Sequence, residues 1–284
     1  MIDGVIVINK PKGITSRDVV NEVSKVLKTK KIGHTGTLDP IASGVLVLTI
    51  GKATKLSEVI TSEEKAYIAT AILGVETDTL DTDGKIIKEE NVKISKEKVI
   101  NCLNSFIKTY NQQVPIYSAV KINGKKLYEY ARNGEEITLP SREVTIKDIK
   151  LMDINYVNNK TVIKFSCLVS KGTYIRSLIK DIANSLNTVG TMSDLIRIKQ
   201  GNFDISKSYT LQQIKNNDFE YISLEDSLGD YFTINMDSNL EFKVKNGVIL
   251  EDIYNKEYVL FKSKNILALY KKEGNKLKPF KMFI

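Results

Sequence analysis

A short loop rich in glycine and threonine carries the residues best suited to chemistry in this sequence. Residues 33–40 read GHTGTLDP and contain His34, the single histidine of the chain, and Asp39. Two glycines free the backbone, and the proline after Asp39 restricts that aspartate to an extended conformation. A carboxylate held in this way can serve as a nucleophile or as an acid–base group. Taken alone, however, an Asp-Pro pair usually starts a turn and a lone histidine usually packs or hydrogen-bonds, so both interpretations stay open.

The sequence argues against a metal centre. Cys102 and Cys167 lie in apolar patterns without metal-ligand spacing, and one histidine is too few for a structural zinc site. Residues 79–90 place acidic residues at calcium-loop positions, but the first ligand is Thr79 and the preceding segment is predicted to be a strand. We therefore predict a solvated hairpin turn there. The sequence has no Walker loop and no dinucleotide fingerprint, so we expect no cofactor.

Composition predicts a folded, basic protein with no membrane span. The chain has 284 residues, of which 42% are hydrophobic and 27% charged, and its formal net charge is +8. This length suits one large core with a small appended domain. No apolar run approaches the roughly 20 residues of a membrane helix, and no signal pattern opens the chain, so we expect a soluble cytoplasmic protein. The positive charge suits a polyanionic partner but does not by itself establish one.

The elements around the loop must position its side chains. Residues 5–8 are predicted to form a buried strand, and a helix capped at Thr15 or Ser16 follows. Further elements are predicted from periodicity and turn residues: strands at 45–50, 67–73, 143–154 and 161–170, and helices at 95–107 and 173–186. The spacing is not that of regular βαβ units, so the predicted fold class is α+β, with a mixed, mainly antiparallel central sheet and flanking helices.

The last part of the chain shows a different pattern. After about Tyr231 we predict a small C-terminal β domain with short strands at 242–244, 258–261 and 266–270. From residue 241 to the end, ten lysines stand against five acidic residues, an asymmetry that favours a docking surface. The predicted domains are therefore residues 1–231 and residues 232–284.

Several motifs in order resemble those of one enzyme family. Residues 33–46, GHTGTLDPIASGVL, closely resemble the signature loop of the TruB family of tRNA pseudouridine-55 synthases. Other segments up to about residue 230 are similar to that family's further motifs: KPKGITS at 10–16, KAY at 65–67, QVPIYSAVK at 113–121, LYEYARNG at 127–134 and KGTYIRSL at 171–178. The chain departs from the family pattern at Ile116, which replaces a second proline, and at Leu195-Ile196-Arg197, which replaces Leu-Arg-Arg. The tail resembles a shortened PUA domain, an RNA-binding β domain.

The resemblance implies the pseudouridine synthase fold and an enzyme that flips uridine-55 out of the T arm of tRNA and converts it to pseudouridine. It implies Asp39 as the catalytic carboxylate, Arg176 as its paired cation, and Tyr67 as a ring that stacks on the base and offers a hydroxyl for proton transfer. Without the resemblance, Tyr67 would be interpreted as a core aromatic and Arg176 as part of a surface ion pair. tRNA is the implied partner, no cofactor or metal is needed, and a stand-alone monomer is the simplest expectation.

The resemblance also implies a group of substrate-binding and supporting residues. His34 is expected to fill the space that the flipped base leaves, and Lys10 with Pro11 to brace the catalytic loop. Leu195 is expected to line the floor of the pocket, and Tyr174 to bind the substrate beside Arg176.

Two other functions compete with this interpretation. An RNA-gripping module with vestigial chemistry is disfavoured because Asp39, Tyr67 and Arg176 all stand in their motifs. A relative that works within a guide-RNA complex, as dyskerin-like synthases do, is less expected because the chain lacks their long terminal extensions.

Overall fold

Two β-sheets organise the chain, of which the computed structural model describes residues 3–229 and 231–284. Up to residue 229 the strands are β1 (Gly4–Lys10), β2 (Ile32–Thr35), β3 (Ser43–Ile50), β4 (Lys65–Leu73), β5 (Val75–Thr77), β6 (Ile86–Glu89), β7 (Thr109–Gln113), β8 (Lys121–Ile122), β9 (Lys125–Lys126), β10 (Ser141–Val157), β11 (Lys160–Val169), β12 (Gly190–Gln200), β13 (Phe203–Asp204) and β14 (Ile222–Ser223). The α-helices there are α1 (Ser16–Val26), α2 (Ser57–Ser62), α3 (Lys96–Ser105), α4 (Leu127–Asn133), α5 (Ile175–Ser185) and α6 (Leu211–Lys215). Short 3₁₀ helices span Gly51–Leu56, Ile205–Lys207 and Asp226–Leu228.

The large sheet is mixed and mainly antiparallel, which confirms the predicted fold class. Among the described residues its strand order is β14-β1-β3-β12-β4-β11-β10-β7, with β2 on β3 and β13 on β12. Among the described strands of this sheet, only β3 and β12 pair in parallel, and β12 also pairs with β4. The centre of the sheet therefore places β12 between β3 and β4, two strands from a much earlier part of the chain.

Two helices fix the chain segments that flank the centre of the sheet. Thr15 caps α1 in a reciprocal pair with Asp18, and three valines of the helix are buried against β1 and β3. Helix α5 buries a wide apolar face in the main core, as its 3.6-residue periodicity predicts. Because that face is held by the core, the first turn of α5 has a fixed position.

Residues 32–35 differ from the predicted loop. They form β2, an added strand that pairs with the edge of β3 from Ile32 opposite Ile50 to Thr35 opposite Val47. The glycine and threonine content suggested irregular backbone, but the unpaired edge of a buried strand offers hydrogen bonds that override such a local preference. The predicted strands at 143–154 and 161–170 do form, as β10 and β11, and Asn158-Asn159 joins them in a hairpin with both residues at positive φ.

The C-terminal part forms a curled five-stranded sheet. Its strands are β15 (Phe232–Asn235), β16 (Leu250–Glu251), β17 (Tyr258–Lys262), β18 (Ile266–Glu273) and β19 (Lys276–Met282), and its helix is α7 (Ser238–Lys245). The strand predicted at 242–244 is wrong, because these residues belong to α7. Asp237 caps that helix by accepting a hydrogen bond from the backbone of Leu240 at 2.8 Å. The cap and the inward spacing of Leu240 and Val244 outweigh the short alternating pattern.

The two sheets share part of their core. Leu260, Leu269 and Phe283 belong to the same apolar cluster as Val45 and Val47 of β3. The small sheet is thus packed behind the strand that follows the Asp39 loop. No helix in the described part of the chain is long and apolar enough to span a membrane.

Candidate active site

Hydrogen bonds to the residues just before α1 and to its first residue hold the loop that carries Asp39. The Ser16 hydroxyl accepts a hydrogen bond from the Leu38 backbone N–H at 2.9 Å and donates one to the Leu38 carbonyl at 3.1 Å. The backbone N–H of Gly13 donates to the Pro40 carbonyl at 2.8 Å. These bonds hold the residues on both sides of Asp39, so the carboxylate stands on a fixed backbone.

Lys10 also holds the loop that carries Asp39. Its side chain is fully buried, and its Nζ donates to the carbonyls of Ala42 at 2.8 Å and Pro11 at 2.9 Å. Burial lowers the pKa of Lys10 to about 8, while the charge of Asp39 acts in the opposite direction. The ammonium therefore persists at neutral pH and lies near Asp39 as a second positive charge.

Arg176 holds the carboxylate of Asp39 directly. Its Nε lies 3.0 Å from Oδ2 of Asp39, whose side chain is 37% exposed, whereas the arginine side chain is 6% exposed. Nη1 and Nη2 donate to the carbonyls of Thr79 and Tyr117, both at 2.9 Å. Because the guanidinium is locked by two backbone segments, it orients one oxygen of Asp39, whose side chain stays partly exposed.

A second carboxylate faces the same guanidinium. Oδ2 of Asp81 lies 3.6 Å from Nη1 of Arg176, and Asp81 is buried. Burial raises the pKa of Asp81, opposed by a 2.6 Å hydrogen bond from the Thr79 hydroxyl and by the charge of Arg176. The predicted hairpin exists as β5 and β6, but the expectation of a solvated turn is wrong for Asp81. Within the described residues no group of three or more acidic, cysteine or histidine side chains is suited to a metal.

Tyr67 and Leu195 belong to the buried core that adjoins the Asp39 loop. Both are 6% exposed and belong to the apolar cluster that also contains Leu38, next to Asp39. Burial raises the pKa of the Tyr67 phenol, and the positive charge of Arg197 opposes that rise. The hydroxyl is therefore neutral at physiological pH and can donate a proton.

Comparison with known proteins identifies the family of this chain. Residues 24–175 match the family described as TruB family pseudouridylate synthase (N terminal domain). The chain is 44% identical over 284 residues to the tRNA pseudouridine synthase B of Fusobacterium nucleatum, covering 97% of this chain and 98% of that protein. This chain belongs to the TruB family. The Clostridium tetani tRNA pseudouridine synthase B is a further relative, at 41% identity over 96% of this chain and 93% of its own length.

Solved structures of more distant proteins share the fold of this TruB-family chain. A Cbf5-Nop10-Gar1 complex contains a chain that superposes with a TM-score of 0.73 at 23% identity, covering 99% of this chain and 85% of that one. An H/ACA ribonucleoprotein bound to a substrate RNA containing 2′-deoxyuridine gives a TM-score of 0.72, also at 23% identity and with the same coverage. At this identity the similarity establishes the fold.

Tyr174 lies at the start of the helix that carries Arg176. It occupies the N-cap position of α5, and its backbone N–H donates to Oε1 of Gln112 at 2.8 Å. The guanidinium of Arg142 lies 5.3 Å from the centre of the Tyr174 ring. The ring is thus partly covered by a cation, and a buried amide fixes the backbone from which α5 begins.

His34 lies on β2, opposite Leu48, and is partly exposed. Burial lowers its pKa, and the positive charges of Arg17 and Arg197 add to that effect. The imidazole is therefore neutral at pH 7. Its Nδ1 is buried without a hydrogen-bond partner among the described residues.

Asp39 is not among the residues that border two cavities of the described chain. One, of about 230 Å³, is bordered by Thr79 and Tyr117, the residues whose carbonyls hold Arg176. The other, of about 1110 Å³, lies where the two sheets meet and is bordered by Val7 and Tyr258. The Asp39 side chain is nevertheless 37% exposed, so its carboxylate is accessible to solvent.

Sequence reasoning misses the importance of Asp81 and Arg197. The first falls in a predicted turn, and the second stands out only as part of a departure from the family's Leu-Arg-Arg pattern. Both are charged, yet Asp81 is buried against an arginine from a distant helix, and Arg197 is buried across two neighbouring strands. The nearest signal is the Thr-x-Asp spacing at 79–81, which places a hydroxyl beside the carboxylate.

Proposed function

We propose that this TruB-family chain is a tRNA pseudouridine synthase that isomerises uridine-55 in the T arm of tRNA. The observation that carries the proposal is the pair formed by the accessible carboxylate of Asp39 and the buried guanidinium of Arg176, 3.0 Å apart. The site lies on a loop whose backbone is fixed on both sides. Relatives that share about 40% of this sequence over nearly its whole length are tRNA pseudouridine synthases B.

The reaction needs few components, and these residues supply them. The bond from nitrogen 1 of uracil to ribose carbon 1′ breaks, the base turns over, and carbon 5 bonds to the same ribose carbon. One proton leaves carbon 5 and one is gained at nitrogen 1, so the product is an isomer and no external atom or electron is required. Asp39 supplies the carboxylate at the ribose and base, and Arg176 holds its orientation while the base is detached.

The inner wall suits a flipped pyrimidine. We assign to Tyr67 the stacking of the base, an interaction of about 1–3 kcal/mol, and to Leu195 the floor beside it. The neutral hydroxyl of Tyr67 is available as a proton donor to the base. Tyr174 extends the aromatic surface at the start of α5, and Lys10 with Pro11 keeps the Asp39 loop in place.

Extruding a stacked uridine costs a few kcal/mol, and a side chain that fills the gap offsets part of this cost. His34 is placed for that role, because it lies on β2 beside the loop and is partly exposed. A neutral imidazole suits stacking within a helix better than a strongly hydrated cation. All these groups come from one chain, so a monomer contains the complete site.

The experiment that tests the proposed function uses the full-length protein and an unmodified tRNA transcript. We expect one new pseudouridine, at position 55, when the product is mapped by chemical sequencing. A transcript with cytidine at that position is the control and gains no pseudouridine. tRNA binding without any new pseudouridine would instead support the RNA-gripping module and overturn the proposal.

The C-terminal sheet, residues 232–284, is proposed as an RNA-binding domain. Five of its ten lysines are engaged in ion pairs within the described chain: Lys245, Lys262, Lys272, Lys278 and Lys281. The free positive charge is therefore smaller than the sequence suggests. Lys243, Lys264 and Lys276 are exposed and take part in no ion pair of the described residues, which leaves them for phosphates.

We expect weaker tRNA binding, with a smaller salt dependence, when Lys243, Lys264 and Lys276 are changed together to glutamine. Each phosphate that is no longer neutralised by a lysine lowers the slope of log Kd against log salt by about one unit. Binding titrations between low and physiological salt measure this slope. The control changes Lys96, Lys98 and Lys108, three exposed lysines on or next to α3, to glutamine. Equal slopes for the two triple variants would show that the C-terminal lysines have no special role.

A further inference from the structure

Arg197 is a buried cation under the Asp39 loop. It lies on β12, is 1% exposed, and is in register with Tyr67 on β4 and with Gly44 on β3. Arginine is almost never buried to this extent unless its donors are satisfied. Its position at the only parallel pairing of the large sheet, among the described strands, makes it a link between elements that carry different parts of the site.

The guanidinium donates to two backbone carbonyls on two chain segments. Nε donates to the Val45 carbonyl at 2.7 Å, and Nη2 to the Gly36 carbonyl at 2.9 Å. The phenol of Tyr67, the cross-strand partner of Arg197, lies beside this guanidinium, whose charge opposes the burial that raises the pKa of Tyr67. Gly36 has φ of +74°, and a Cβ added there would lie 3.3 Å from Nη1, so the guanidinium packs directly against this turn.

We propose that Arg197 is a positioning residue for pseudouridine formation, which fixes the Tyr67 hydroxyl relative to the loop that carries Asp39. The inference rests on the proposed function. A guanidinium can only donate, so a hydrogen bond between the two groups has the phenol oxygen as its acceptor. The proton of the Tyr67 hydroxyl then points away from Arg197 and is left to donate to the nucleotide. The bond to Gly36 ties this arrangement to the backbone of the Asp39 loop.

The charge of Arg197 also reaches the other titratable groups of the site. Burial is the main cause of the lowered pKa of both Lys10 and His34, and Arg197 lowers it further in each. A test must therefore separate the forked geometry of the guanidinium from its charge. Arg197→Lys does so, because lysine keeps the positive charge but has one nitrogen in place of three.

The test compares Arg197→Lys, Tyr67→Phe and the double variant in single-turnover reactions with saturating tRNA. Pseudouridine formation is followed by release of tritium from carbon 5 of uridine. We expect Arg197→Lys to slow the reaction by about 30-fold while the Kd for tRNA changes less than about threefold, as for a residue that acts after binding. In the Tyr67→Phe background the same change should slow the reaction less than about threefold, because the oxygen that it orients is already gone.

Ile163→Val is the control for loss of stability, because Ile163 is fully buried on β11 away from the Asp39 loop. This control should lower the thermal midpoint without slowing the reaction. If Arg197→Lys melts below the assay temperature, Gly36→Ala tests the same link, since the added methyl group presses on Nη1. Equal slowing of the wild type and Tyr67→Phe backgrounds would overturn the positioning role. Failure of the wild type itself to make pseudouridine would instead overturn the proposed function.

Discussion

Asp39→Asn is expected to abolish pseudouridine formation while tRNA binding is retained. The amide keeps the size of the carboxylate but is neither a nucleophile nor a base, so the rate should fall by a factor on the order of 10⁴ or more. The Kd for tRNA should stay within about threefold, because the phosphate contacts that dominate RNA affinity are unchanged. Tritium release and a binding titration on the same preparation measure the two quantities.

The structure indicates that this variant will fold. Asp81 lies 3.6 Å from the same guanidinium, so Arg176 keeps a negative partner when Asp39 loses its charge. Asp218→Asn, at an exposed position, is the matched control and should behave as the wild type. Turnover by Asp39→Asn within tenfold of the wild type would remove Asp39 from the chemistry.

The fold followed from local patterns wherever burial and periodicity agreed. Strands β4 and β11 alternate between core and surface, and α5 presents one apolar face, so all three elements can be predicted from the sequence alone. The sequence prediction is wrong at β2 and at α7. In both places a nonlocal or capping hydrogen bond decided the outcome: the free edge of β3 for the first, and Asp237 for the second.

Some residues of the candidate site can be predicted from the sequence, and others cannot. The position of Asp39 was predicted from a contiguous motif, and its pairing with Arg176 only from resemblance, because 136 residues of chain separate them. Asp81 and Arg197 could not be predicted, since each is significant only through the partner that folding brings to it. Charged side chains in strands and turns are usually solvated, and only the three-dimensional structure shows that these two are buried.

Rigidity of the site has a common physical origin. The Asp39 loop is irregular, so its backbone groups lack the regular partners of a strand or helix. Buried side chains take their place: Ser16 at Leu38, Lys10 at Ala42, and Arg197 at Gly36. Each of these side chains belongs to a strand of the large sheet or to a helix packed on it. Their hydrogen bonds therefore hold the loop as rigidly as the core itself.

For the same reason, we expect Arg176→Lys to cause the second largest decrease in the rate of pseudouridine formation. Lysine preserves the positive charge beside Asp39, so any simple electrostatic role would survive the change. It has no Nη1 and Nη2, however, and cannot span Asp39 and the carbonyls of Thr79 and Tyr117 together. We expect single-turnover pseudouridine formation to fall by about 10²–10³-fold, because the carboxylate loses its fixed orientation.

The stability of this variant should fall as well, by about 1–3 kcal/mol for each buried carbonyl left without a donor. Thermal unfolding measures this decrease, and Arg132→Lys on α4 serves as the control for exchanging the two cations. The deciding measurement is the double variant with Asp39→Asn. If Arg176 acts by orienting Asp39, the double variant is no slower than Asp39→Asn alone, because the carboxylate that the arginine orients is already absent. A full multiplicative loss would mean that the arginine acts on the nucleotide independently, and the ion pair between the two residues would then not be the functional unit of the site.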